Sequence, residues 1–405
     1  MAAEFVFDSR QSWLRLLAAL ALSSIGGIGL WSVVVSLPAI EAEFGVSRGS
    51  ASLPYFATMV GFGIGGVFMG RMADRFGAAV PIALAGVMMC VGYIAASQAT
   101  ALWQFIAAQA ILIGGLGASA TFGPLVADIS LWFQRRRGIA VAIVASGNYV
   151  AGTIWPPLLT QAIETFGWRQ AHIGIGIAAM CAMVPLAMLL RQRAPLDDDV
   201  RLTGAGTLPT VPRLSPGALQ ALLVLAGLAC CLAMSMPQVH IVAYCGDLGY
   251  GVASGAQMLS LMLGFGVVSR LLSGLIADKI GGVGTLIVGS TLQCLALLLY
   301  LPFDGLASLY IVSALFGLSQ GGIVPSYAMI VREYFPAREA GQRVSLVMMA
   351  TVFGMALGGW ASGAIYDLTG SYSAAFLHGI GWNLLNMAIA FWLLSARRRP
   401  RVAVA

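Results

Sequence analysis

The chain has 405 residues, of which 59% are hydrophobic and only 9% charged, with a formal net charge of +6. An ordinary soluble domain carries about 25% charged residues, so a soluble enzyme, a disordered chain and a nucleic-acid-binding domain are excluded. The basic excess reads as the positive-inside bias of a membrane protein, with the bilayer and not a nucleic acid as partner.

Twelve apolar runs follow one another, each near the roughly 20 residues a spanning helix needs. The first, 14–37, is too long for the apolar part of a signal peptide and carries Trp31. The second, 51–70, ends in Gly70-x-x-x-Asp74-Arg75-x-Gly77. Runs 79–97 and 102–126 follow, the latter with Thr121. The basic triplet Arg135–Arg137 precedes 138–160, which holds Asn148, and 170–190 completes a set of six. A polar stretch with Arg191, Arg193 and Asp197–Asp199 then leads to 218–243, with Pro237 and His240. Proline removes a backbone donor and predicts a kink there. Run 253–275 carries Arg270 and leads into Gly274-x-x-x-Asp278-Lys279-x-Gly281. Runs 283–301, 306–330 (with Gln320), 341–363 and 373–395 complete the set.

The expected fold is an all-α integral membrane protein of twelve transmembrane helices in two pseudo-symmetric six-helix bundles. The bundles cover 1–190 and 217–396, joined by a cytoplasmic linker, 191–216, and followed by a basic cytoplasmic tail, 397–405. With both termini inside, 19 of the 22 basic residues are cytoplasmic; Arg48 and Arg169 fall outside and Arg270 within a span. An odd number of spans would scramble that bias.

The two Gly-x-x-x-Asp-basic-x-Gly motifs stand 204 residues apart. Gly138 with Gly341 and Gly167 with Gly370 repeat at an offset of 203. Two matches nearly in register argue for a duplicated six-helix unit, which places a substrate site near the midplane between the halves. Gly70 and Gly274 permit close helix approach. Asp74 and Asp278, in motifs with Arg75, Gly77 and Lys279, Gly281, suit a cytoplasmic latch, the carboxylate sitting at a neighbouring helix N-terminus or pairing with a basic loop residue, or else a tight cytoplasmic turn with interfacial charges.

The six cysteines lie in or at the ends of apolar runs without metal-ligand spacing, so they read as packing residues and no metal or cofactor is expected. Arg270 is the only Lys or Arg inside a span away from its first few residues, Arg15 and Arg343 standing at the cytoplasmic ends of theirs. A cation at a helix centre costs roughly 2.5–3.5 kcal/mol on insertion scales. No acid lies one turn away, positions 266 and 274 both being glycine. Either Arg270 faces a water-filled cavity, ready to take a carboxylate through two parallel hydrogen bonds, or it snorkels to the interface. His240 titrates near neutral pH and suits a proton carrier, or else it bonds a neighbouring helix. Asn148, Thr121 and Gln320 suit either a cavity wall or interhelical hydrogen bonds, and Trp31 a wall. Asn383 and Asn386 read as interhelical bonds, and His172 and His378 as interfacial.

The spans, the linker and the repeated loop motif resemble the major facilitator superfamily over essentially the whole chain. A narrower resemblance rests on Trp132 to Ala140, then Ser146-Gly147-Asn148 and Gly152. It continues in Val239 to Tyr244 with Asp247-Leu248-Gly249, in Ser269 to Gly274, and in Tyr366-Asp367 to Tyr372. These segments are similar to the monocarboxylate transporters and oxalate:formate antiporters, of bacterial type. The resemblance implies that the family's carboxylate-binding arginine falls on Arg270 and a bacterial subfamily histidine on His240. It also implies that the helices bearing Thr121, Asn148 and Gln320 face the cavity.

Three departures stand out. Gly266 replaces an acid implicated in proton coupling. Trp31 stands where many animal members have a lysine. The eleventh run has only Arg343, at its cytoplasmic end. One cavity cation suits one carboxylate, with His240 and Gln320 assisting. The implied function is secondary active transport of a small monocarboxylate by alternating access with proton symport, in a monomer of the bacterial cytoplasmic membrane. Anion antiport, proton-coupled efflux of amphipathic compounds and a non-transporting sensor are the alternatives; an enzyme is not expected.

Overall fold

The computed structural model describes residues 7–192 and 214–396. Arg193, Asp197–Asp199 and Arg213 of the expected linker, and the basic tail 397–405, lie outside the described residues. The described chain is helical throughout, with no strand among the described residues. Eleven of its helices are long and apolar enough to cross a bilayer. One of them, Val252–Leu299, has 48 residues. At 1.5 Å per residue that is about 70 Å, roughly twice a bilayer's hydrocarbon thickness. It breaks at Gly281 (φ 73°, ψ 177°), and its arms, 252–280 and 282–299, take up the eighth and ninth apolar runs.

In chain order α1 is Arg10–Phe44, α2 Arg48–Phe76, α3 Ala79–Ser97, α4 Leu102–Trp132, α5 Arg137–Phe166 and α6 Trp168–Met188. Then come α7 Pro216–Asp247, α8 and α9 as the arms 252–280 and 282–299, α10 Leu306–Tyr334, α11 Ala337–Thr369 and α12 Tyr372–Ala396. Serine hydroxyls cap three starts: Ser9 accepts from the Ser12 N–H, Ser47 from Ser50 and Ser215 from Ala218. These bonds satisfy donors that a helix start leaves orphaned. α7 runs as one helix through Pro237.

The repeated loop motif has one backbone geometry in both copies. Gly77 (φ 83°, ψ 163°) ends α2 as Gly281 ends α8. A side chain is strained at such a φ, so glycine is required for the tight turn into the next helix.

Four helices are interrupted internally. α1 breaks at Gly27, between Arg10–Gly26 and Ile28–Phe44. α4 loosens into a π-helical stretch, Ala108–Gly117, and tightens through Ala118–Thr121 before resuming at Gly123. α5 breaks at Ser146, and α10 at Gly321–Gly322. Lipid cannot satisfy a freed backbone group, so broken helices are tolerated only where protein covers them or a water-filled cavity meets them.

Hydrogen bonds tie the helices laterally. Asn383 donates to the Ser290 carbonyl, Asn386 donates to Ser290 Oγ and Tyr327 donates to Asn386, so Asn383 joins α12 to α9 and Asn386 joins it to both α9 and α10. Arg15 of α1 makes a bidentate pair with Asp128 of α4, both distances 2.7 Å, and donates to the Leu190 carbonyl. Asp8 accepts the backbone N–H groups of Gln134, Arg135 and Arg136. His172 is not interfacial: it is 1% exposed, bonded to the Trp168 carbonyl and packed against Tyr93 and Phe105.

Candidate functional site

The end bearing Arg71, Arg75 and Arg135–Arg137 is the arginine-rich end. At the opposite end the two halves meet closely. A Cβ on Gly49 of α2 would lie 3.1 Å from Ala364 of α11, one on Gly359 2.8 Å from the Tyr55 ring, and one on Gly363 2.8 Å from Ser52 Oγ. Further along, a Cβ on Gly63 would reach Val352 only at 3.5 Å, and Gly66, Gly70 and Gly341 face open space. α2 and α11 therefore splay apart toward the arginine-rich end.

A cluster around Arg48 locks the close end. Arg48 is 7% exposed. It donates to Glu41 on its own half and, across the interface, to both Asp247 oxygens at 3.0 and 3.1 Å and to the Tyr372 hydroxyl at 2.6 Å. The backbone N–H groups of Arg48 and Gly49 donate to the two Asp367 oxygens. Both the guanidinium and the start of α2 are thus neutralised by acids of the other half. A carboxylate at a helix N-terminus is favoured by the dipole and the orphan N–H groups.

The arginine-rich end shows no such lock. Asp74, Asp278 and Lys279 are exposed, and neither aspartate forms an ion pair among the described residues. The latch expected from Gly70, Asp74, Arg75, Gly77 and Gly274, Asp278, Lys279, Gly281 is not formed through either aspartate among the described residues.

Between the halves lies a cavity of about 230 Å³. Residues of α1, α2, α4 and α5 face residues of α7, α8, α10 and α11 across it. Of its lining residues Arg270 alone is charged, and Trp31, Thr121 and Asn148 join it there. All four helix interruptions border this space, through Gly27, Thr121, Phe122, Asn148 and Val324.

The interruptions explain how a cation is held. Arg270 Nη1 donates to the Ala145 carbonyl at 2.7 Å, and Nε to the Gly321 carbonyl at 3.4 Å. Both carbonyls stand at breaks, one in each half. The guanidinium lies 4.5 Å from the Tyr149 ring centroid, a cation–π arrangement. Arg270 forms no ion pair among the described residues. Its hydrogen bonds go to neutral acceptors, and its charge stays uncompensated beside a cavity. The snorkelling alternative does not describe this placement.

The other expected residues divide. The Trp31 indole donates to the carbonyl and side-chain oxygens of Asn148, at 3.0 and 3.1 Å. Thr121 spends its hydroxyl on the Ala118 carbonyl. Gln320 is fully buried behind the wall; its oxygen accepts from Gln238, which does line the cavity. A Cβ on Gly266 would sit 3.1 Å from Tyr149 and 3.2 Å from Gln320 Nε2, so the place of an acid one turn before Arg270 is filled by these neighbours. His240 stands apart from the cavity, fully buried beneath the Arg48 cluster. Its Nε2 lies 2.7 Å from the Gly359 carbonyl and its Nδ1 3.0 Å from the Tyr372 hydroxyl. A carbonyl only accepts, so the neutral ring carries its proton on Nε2 and accepts from Tyr372 at Nδ1.

Sequence reasoning missed Tyr149, Gln238 and the Arg48 cluster. One signal was present: Arg48 is a basic residue at the end where the bias disfavours one.

The model of the Major Facilitator Superfamily matches residues 18–310 and 276–405, which together cover nearly the whole chain. Monocarboxylate transporter 13 of Bos taurus is 26% identical over 311 residues, covering 76% of this chain and 71% of the relative. MFS-type transporter opdF of Penicillium oxalicum is 25% identical over 342 residues, covering 81% and 78%. In structure the chain is similar to a bacterial homolog of the human lysosomal transporter Spinster, with a TM-score of 0.73 at 13% identity, covering 97% of this chain and 100% of that one. That likeness speaks to the fold. With both halves matched by the family and the helices arranged about a central cavity, the chain belongs to the Major Facilitator Superfamily and is a multi-pass membrane transporter.

Proposed function

We propose that this transporter moves a small monocarboxylate by alternating access, with Arg270 as the anion-binding group. The observation that carries the reading is the uncompensated guanidinium at the cavity wall, held by Ala145 and Gly321 carbonyls instead of an acid. A carboxylate offers two stronger, charge-assisted bonds and neutralises the charge. One lining cation matches one carboxylate. Likeness to a monocarboxylate transporter supports the same class.

The described state is open toward the arginine-rich end, which the positive-inside bias assigns to the cytoplasm of the bacterial membrane. The Arg48 cluster holds the outer end shut. We assign proton coupling to His240, which reaches that cluster through Tyr372. Protonation places a second hydrogen between His240 Nδ1 and the Tyr372 oxygen. Tyr372 must then turn its own proton elsewhere, which disturbs its bond from Arg48. An external proton thereby favours the outward-open state and symport. Anion antiport is the second reading, favoured by the absence of any acid among the residues lining the cavity.

The test is uptake of radiolabelled monocarboxylates into proteoliposomes under a proton gradient. Arg270→Ala is expected to abolish uptake while the protein stays folded. Full transport by that variant overturns the assignment. Exchange that ignores the proton gradient selects antiport.

A further inference from the structure

We infer that the carboxylate this cavity takes carries an aromatic ring on a short chain, and is not a two- or three-carbon acid. The inference rests on the monocarboxylate reading of Arg270 and specifies the body of the substrate.

The cavity lining includes Met59, Met234, Met348 and Met355, contributed by two helices of one half and one of the other. Trp31, Phe62, Phe122 and Tyr149 add four aromatic rings to that lining. Thioethers are polarizable, adapt their shape and make favourable contacts with ring edges, so such a lining suits a ring better than it suits water.

Four of the polar side chains in that lining bond within the protein. Trp31 donates to Asn148, Thr121 to the Ala118 carbonyl, Thr351 to the Met348 carbonyl and Gln238 to Gln320.

Size points the same way. A closed apolar cavity of about 150 Å³ is enough to hold benzene. The cavity here, about 230 Å³, has room for a ring and a short acid arm. Formate or acetate on Arg270 would leave the methionine wall facing water. Each methylene buried there is worth about a fourfold gain in affinity.

The experiment is a binding series on the purified full chain in detergent, read by thermal shift and by intrinsic tryptophan fluorescence. The probes are acetate, propionate, lactate, 3-phenylpropionate and the neutral 3-phenylpropanol. The expected result is that 3-phenylpropionate binds tighter than propionate by on the order of tenfold or more. Met234→Ser and Met355→Ser narrow that ratio, and Arg270→Gln removes the advantage of the acid over the alcohol. Propionate or lactate binding as tightly as 3-phenylpropionate, with dependence on Arg270, overturns the inference and leaves the monocarboxylate reading standing. The alcohol binding as tightly as the acid, or no shift with any acid, overturns that reading and the inference with it.

Discussion

Replacing Arg48 with Gln takes away the bonds that cross the outer interface from its guanidinium: two to Asp247 and one to Tyr372. The bond to Glu41 lies within one half and is available in either state. A buried hydrogen bond to a charged group contributes about 1.5–3 kcal/mol net, whereas an exposed ion pair contributes at most about 1. Arg48 is 9% exposed in its side chain and Asp247 32%, so the pair lies between these limits. The Asp367 carboxylate still caps the start of α2 in the variant. The net loss is about 2 kcal/mol, roughly a 30-fold change in an equilibrium. If the inward-open state outweighs the outward-open one by about 100 to 1, the variant brings the ratio to about 3 to 1. Spin labels at Ala42→Cys and Tyr250→Cys report the width of the outer rim, both positions being exposed. Cys181, the exposed native thiol among six free cysteines, is first replaced by serine. The expected result in Arg48→Gln is a second, longer distance population of about a quarter of the molecules. A distance distribution identical to that of the parent protein refutes the view that Arg48 holds the outer end shut.

Two further outcomes follow from the same geometry. His240→Gln keeps a polar group beneath the cluster but removes the titration, so uptake is expected to lose its rise with external acidity; an unchanged pH profile in proteoliposomes removes His240 from coupling. Gly65→Ala drives a Cβ into the Gly115 carbonyl, where rigid backbone cannot yield as a flexible side chain would. It is expected to destabilise the α2–α4 contact by about 1–3 kcal/mol, read as a lowered unfolding temperature in detergent, and an unshifted transition contradicts it.

Much of the fold was legible because membrane helices announce themselves by composition. The Gly281 break was legible too, since the repeated motif demanded a turn there. Arg270 stood out because a charge inside an apolar run is conspicuous. What it bonds to within the protein was not legible. Its acceptors are main-chain carbonyls freed by interruptions at Ser146 and Gly321, and a chain with 50 glycines does not flag which of them break a helix. The depth of His240 was hidden for a related reason. α7 is apolar all round, so periodicity does not reveal which face meets the cavity and which meets Tyr372. The Arg48 cluster joins residues as far apart as 48 and 372. Its members Asp247, Asp367 and Tyr372 lay within the family-like segments, but only packing brings them onto one guanidinium.

The interruptions do more than free carbonyls. Toward the arginine-rich end run three short rods: Arg10–Gly26, Gly123–Trp132 and Arg137–Ala145. The Arg15–Asp128 pair rivets the first two together, and the grip of Asp8 on 134–136 fastens the loop that leads into the third. They make one connected unit beyond the breaks at Gly27, Phe122 and Ser146, and Gly27 and Phe122 line the cavity itself. A molecule in that cavity therefore touches the points at which these rods end, so the cavity and this end of the fold share one set of backbone breaks.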